Sequence, residues 1–89
     1  MSVFQAARVG DSAGGPILVS PQAVVFVDGI PLAVQGSTIA PHGSGAHNAA
    51  TIPVGSPVML INGLGVVRTG HVATCGDVVV GTTHVRVSA

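Results

Sequence analysis

Val24-Val25-Phe26-Val27-Asp28-Gly29-Ile30-Pro31-Leu32-Ala33-Val34 is the stretch that decides the fold of this 89-residue chain. An apolar, largely β-branched run stops at Asp-Gly, and a second apolar run begins at once. Branching at Cβ favours extended backbone. Asp or Asn followed by Gly tolerates positive φ at both central positions of a type I′ turn, whose twist suits two antiparallel strands. The stretch therefore predicts a strand, a tight turn and a second strand. The same pattern returns at Val58-Met59-Leu60-Ile61-Asn62-Gly63, followed by Leu64-Gly65-Val66-Val67-Arg68.

Outward from these turns the chain repeats itself. Ala7-Arg8-Val9-Gly10-Asp11, Ala33-Val34-Gln35-Gly36-Ser37 and Val67-Arg68-Thr69-Gly70-His71 share one pattern. Each leads to a glycine-bearing corner, at Gly14-Gly15, His42-Gly43 and Cys75-Gly76, and then to a β-rich stretch. Those stretches are Ile17-Leu18-Val19, Thr51-Ile52-Pro53-Val54 and Val78-Val79-Val80. The third copy is cut short by the C-terminus. Three imperfect copies predict one all-β domain over residues 1–89, a pseudo-threefold arrangement of short strands and hairpins.

Size and composition narrow the function. A chain this short buries only roughly 60–65% of its unfolded surface, so small domains recruit a disulfide, a metal or a partner. Cys75 is the only cysteine, which excludes an internal disulfide. Charged residues make up 7% of the chain, with no lysine, where about 25% is usual. A surface so poor in charge points to a permanent protein partner; the plainer alternative is a compact surface that is simply low in charge. Three arginines spread along the chain give no basic patch for nucleic acid. No apolar run is long enough to span a bilayer, and no signal-peptide pattern opens the chain, so synthesis in the cytoplasm is expected.

Candidate chemistry falls in two clusters, His42 with His47 and His71 with Cys75. Two close ligand pairs separated by a longer segment are the usual layout of a closed, structural zinc site. The alternative is four separate polar loop residues and an ordinary buried thiol. Cys75 near His71 and Asp77 also permits a nucleophile, a base and an orienting carboxylate. So small a chain has little room for a substrate cleft, and no enzyme is expected. His84 alternates with Val85 and Val87 and is expected on the surface beside Arg86. Asp11 is expected to cap a turn through its own backbone.

Gln5-Ala6-Ala7-Arg8-Val9-Gly10-Asp11 resembles the Pro-Ala-Ala-Arg-x-Gly-Asp signature of PAAR-repeat proteins, with Gln5 in place of proline. Gly55-Ser56-Pro57-Val58-Met59-Leu60-Ile61-Asn62-Gly63 is similar to that family's Gly-Ser-x-x-Val-x-Ile-Asn-Gly segment. The resemblance implies a small cone of strands that caps and sharpens a trimeric β-helical spike, one copy per trimer. Type VI secretion systems, contractile phage tails and related injection particles carry such tips on VgrG-like or phage spikes. It further implies one structural zinc near the vertex, held by three histidines and a cysteine, which carry over to His42, His47, His71 and Cys75. Ser12-Ala13-Gly14-Gly15 departs from many relatives in offering no histidine. Transient contact with a target membrane, delivery out of the cell and non-covalent effector cargo follow as expectations. A zinc-stabilised β module for another partner, or a small Cys/His hydrolase, are the alternatives.

Overall fold

The computed structural model describes residues 3–89. Its strands are β1 (Phe4–Gln5), β2 (Ser12–Ala13), β3 (Gly15–Val19), β4 (Phe26–Val27), β5 (Ile30–Pro31), β6 (Thr38–Ile39), β7 (Leu60–Ile61), β8 (Leu64–Gly65) and β9 (Arg86–Val87). A single 3₁₀ turn, Gly45–Asn48, is the only helical element among the described residues. The architecture is all-β, as the valine- and glycine-rich sequence predicts.

The two Asx-Gly turns form as expected. Asp28 and Asn62 take φ of 53° and 52°, and Gly29 and Gly63 take 78° and 79°. They close β4 on β5, with Val27 opposite Ile30, and β7 on β8, with Ile61 opposite Leu64. The third hairpin is built from the two ends of the chain. β9 pairs with β1, placing Phe4 opposite Val87 and Gln5 opposite Arg86. The copy cut short at the C-terminus is thus completed by the N-terminus.

Each hairpin feeds a crossing segment, and the three segments meet in a closed ring. The Ala33 N–H donates to the Ala7 carbonyl (2.9 Å), Val67 N–H to Ala33 (2.9 Å) and Ala7 N–H to Val67 (2.8 Å). A second ring lies two residues to either side of this one and donates in the opposite sense: Val9 N–H to Pro31, Gln35 N–H to Gly65 and Thr69 N–H to Gln5. Three copies related by one axis leave little width on that axis, and Ala7, Ala33 and Val67 fill it with no solvent exposure.

The side-chain period of two then sorts the core into two layers. Ala6, Leu32 and Val66 pack with the hairpin residues Val27, Ile61 and Val87. Ala7, Ala33 and Val67 face the other way and pack with Ala13, Ile17, Ile39, Ala50, Ile52, Ala73 and Val79. Asp-Gly hairpins therefore lie on one side of the ring, and the glycine-bearing corners on the other.

After the ring each unit reverses through Gly10, Gly36 or Gly70, with φ of 95°, 96° and 97°, a region that only glycine enters freely. The residue after each glycine caps the reversal with its side chain. Asp11 Oδ2 accepts the Arg8 N–H at 3.0 Å, Ser37 Oγ that of Val34 at 3.2 Å, and His71 Nδ1 that of Arg68 at 3.2 Å. The expected backbone cap by Asp11 is present. His71, expected among the metal ligands, occupies the third copy of this cap.

Candidate metal centre

The corners of the second and third units carry the candidate site. In the second unit the loop after β6 is closed by the His42 N–H donating to the His47 carbonyl at 3.0 Å, and His47 sits in the 3₁₀ turn. Gly43 is required there, because a Cβ at that position would stand 3.0 Å from the His47 Cβ. In the third unit Ala73 N–H donates to Asp77 (2.9 Å) and Gly76 N–H to Ala73 (2.9 Å), with Gly76 at φ 90°. That tight loop presents Cys75 and Asp77 on one side, with Cys75 resting on the ring-side core.

Four donor atoms converge from these two loops: one each from His42, His47, Cys75 and Asp77, all within 4.8 Å of one another. His42 Nε2 lies 2.8 Å from Asp77 Oδ2, 3.1 Å from His47 Nδ1 and 3.7 Å from Cys75 Sγ. Asp77 Oδ2 lies 3.3 Å from both His47 Nδ1 and Cys75 Sγ. Zn–N and Zn–O bonds of about 2.0–2.2 Å and Zn–S bonds of about 2.3 Å imply tetrahedron edges of roughly 3.3–3.7 Å. The spacings about His42 Nε2 and Asp77 Oδ2 fall on or inside those edges, and the whole group lies within 4.8 Å. One sulfur, two imidazole nitrogens and one carboxylate oxygen form a donor set that suits zinc.

The orientation of His42 is fixed from behind. Its Nδ1 lies 2.9 Å from the Ala40 carbonyl, which only accepts, so Nδ1 carries a proton and Nε2 faces the group. That carbonyl, followed by Asp77, raises the His42 pKa above its ordinary value. Hydrogen bonds from His42 and then Cys75 hold the Asp77 carboxyl below the usual carboxylate range.

The first unit supplies no donor to this group but shapes it. Gly14 has φ 85°, and a Cβ there would collide with Asp77 Oδ2 and stand 2.7 Å from His42 Nε2. A Cβ on Gly15 would stand 3.0 Å from His42 Nδ1. These two glycines form the wall against which the four side chains converge.

Of the four residues singled out in the sequence, the structure brings His42, His47 and Cys75 together and leaves His71 out. Burial and the neighbouring Arg68 lower the His71 pKa, which suits a neutral ring accepting a backbone N–H. Asp77 takes the fourth place. A signal for His71 was present in the repeat: it aligns with Asp11 and Ser37, two other side-chain acceptors. His84 is exposed, as expected.

Comparison with known proteins gives a family match. The family model of the PAAR motif matches residues 10–81 of the 89-residue chain. No curated protein matches it. The chain thus belongs to the PAAR-motif family, the spike-tip type of protein of contractile injection systems.

Proposed function

We propose that this protein is a non-enzymatic tip that caps and sharpens a trimeric β-helical spike, VgrG-like or phage-borne, at one copy per trimer. The closed ring through Ala7, Ala33 and Val67 carries this reading, because it presents three equivalent edges to a threefold partner. On the hairpin side Val24 and Phe26 of one unit are 66% and 49% exposed, and Val58 and Leu60 of the next are 64% and 57% exposed. Large apolar side chains repeated at equivalent positions and left open to water suit a permanent seat on another protein. In the third unit the equivalent places hold His84 and Arg86, both exposed.

One structural zinc is the ion proposed for His42, His47, Cys75 and Asp77. When bound it supplies four directed bonds that hold loops too small to pack a core of their own. His42 and Cys75 then serve as anchors: the Ala40 carbonyl fixes the first, and the Gly76 turn aims the second. A thiol committed in this way is withheld from nucleophilic chemistry. Carriage out of the cell on the spike, with brief contact with a target membrane, completes the proposed role.

Mixing the protein with a purified trimeric β-helical spike tests the role. Native mass spectrometry should show one chain per trimer, saturating there. Three chains per trimer, or none at excess protein, would overturn it.

A further inference from the structure

Three seams join the units below the ring, and they are not equally closed. Between the first and second units β3 pairs with β6 (Ile17 with Ile39, Val19 with Thr38), and the Ala40 N–H donates to the Pro16 carbonyl at 2.9 Å. Between the third and first units Val80 bridges to Ser12, its N–H donating to the Ser12 carbonyl at 2.8 Å. Asp11 adds a hydrogen bond from the Thr82 N–H at 3.0 Å across the same seam. Between the second and third units no strand bridge forms below the ring among the described residues. Besides the candidate ligands themselves, the hydrogen bonds there are those of Thr51 and Thr74, through Thr74 N–H to the Thr51 carbonyl at 2.9 Å and Thr51 N–H to Thr74 Oγ1 at 3.0 Å.

The reason lies in one residue. Aligning the units by Ile17, Ile52 and Val79 places Pro53 where Val80 stands, and Val72 where Ser12 stands. The bond between Val80 and Ser12 has no counterpart, because proline has no N–H to give the Val72 carbonyl. The four candidate ligands divide across this same seam: His42 and His47 come from the second unit, Cys75 and Asp77 from the third. The first unit, bridged to both neighbours, contributes glycines alone.

We infer that the metal is a staple for the seam between the second and third units, standing in for the strand bridge that Pro53 forbids. This rests on the metal reading above. Metal-ligand bonds replace a missing backbone pairing, so the ion holds one edge of the molecule and is not a general clamp on all three units. The local opening it prevents is a parting of the Thr51 and Thr74 backbones.

Hydrogen exchange of the full chain, zinc-loaded and after chelation, tests this directly. Chelation should cost the Thr74 amide at least about tenfold in protection. The equivalent Ala40 amide, and Val80 at the third seam, should keep theirs. Pro53→Val restores the donor and should shrink the chelation effect at Thr74 severalfold while zinc still binds at one per chain. Val80→Pro, which deletes the bridge at the metal-free seam, should speed exchange of the neighbouring Thr82 amide, which crosses the same seam to Asp11, whether or not zinc is present. Equal loss at Thr74, Ala40 and Val80, complete unfolding on chelation, or a Pro53→Val protein as zinc-dependent at Thr74 as the parent would each overturn the staple. Absence of bound zinc in the untreated, zinc-supplied protein would instead sink the metal reading itself, so the two failures are distinct.

Discussion

Asp77 Oδ2 lies 2.8 Å from His42 Nε2, although the two residues are 35 positions apart and belong to different units. Cys75 Sγ and His47 Nδ1 crowd the same oxygen at 3.3 Å. A carboxylate gathered in by two imidazoles and a thiol joins the candidate ligands, whereas His71 is spent on a backbone cap. Asp77→Asn should therefore lower zinc content well below one per chain, as should Cys75→Ser and His42→Ala. His71→Ser, which copies Ser37, should keep zinc at one per chain. Metal analysis of the four purified variants checks this, and zinc loss in His71→Ser with full retention in Asp77→Asn would reverse the assignment.

Gly14 offers a sharper steric test. Its φ of 85° strains any side chain, and a methyl group there would run into the Asp77 carboxylate and the His42 ring unless they moved aside. Gly14→Ala should cost about 1–3 kcal/mol from strain at the turn. For a domain of this size that is a Tm drop of roughly 4–8 °C per kcal/mol. Displacing Asp77 and His42 should also weaken zinc binding. Gly10→Ala meets the same positive φ with nothing within 4 Å, so it should destabilise without loss of zinc. Calorimetry with metal titration separates the two.

Much of this arrangement was legible in the sequence, and the reasons differ residue by residue. Asp28-Gly29 and Asn62-Gly63 announce their turns because few other pairs accept positive φ twice running. The triple occurrence of the Gly10, Gly36 and Gly70 pattern announced the threefold ring. Pairing of Phe4 with Val87 was not legible, since it joins the two ends of the chain and no local propensity encodes it. The place of His71 outside the group was not legible, because its spacing from Cys75 imitates a ligand pair. Asp77 was missed because a carboxylate next to a Gly-rich corner reads equally well as a partner for arginine. Arg8 in fact pairs with Asp28, at 3.4 Å, which leaves Asp77 for the histidines.

Acidity should act oppositely on the two forms of the protein. The His42 pKa is raised in the metal-free fold, so its contribution is present below the unfolded value and is lost as pH rises through the folded one. Asp77 is lowered, so its contribution is present above the unfolded value and is lost as pH falls through the folded one. The His42–Asp77 pair thus helps the metal-free protein only between those limits. Zinc needs a neutral His42 and a thiolate, and binding releases protons. The Tm gap between zinc-loaded and chelated protein should widen as pH rises through the histidine range, about 6.5. His71, whose pKa is lowered, favours the fold at higher pH in both forms and drops out of the difference. Thermal melts across pH with and without chelator check the sign, and a gap that narrows with rising pH would exclude zinc on these ligands.

The axis of the ring sets a limit that no surface change shares. Ala33 N–H and carbonyl both take part in the ring, and its side chain has no exposure. Ala33→Leu must push three backbones apart, and overpacking of this kind costs about 1–3 kcal/mol. On the hairpin side the same-sized change is free, because Phe26 and Leu60 already stand in water. Phe26→Asp with Leu60→Asp should leave Tm and zinc content unchanged and abolish seating on the trimeric spike. Ala33→Leu should lower Tm by several degrees, and at temperatures where it stays folded it should seat normally, because it alters none of the exposed side chains. Sedimentation of each variant with the spike separates surface from axis. Full seating of the double aspartate variant would move the partner's seat away from the hairpins.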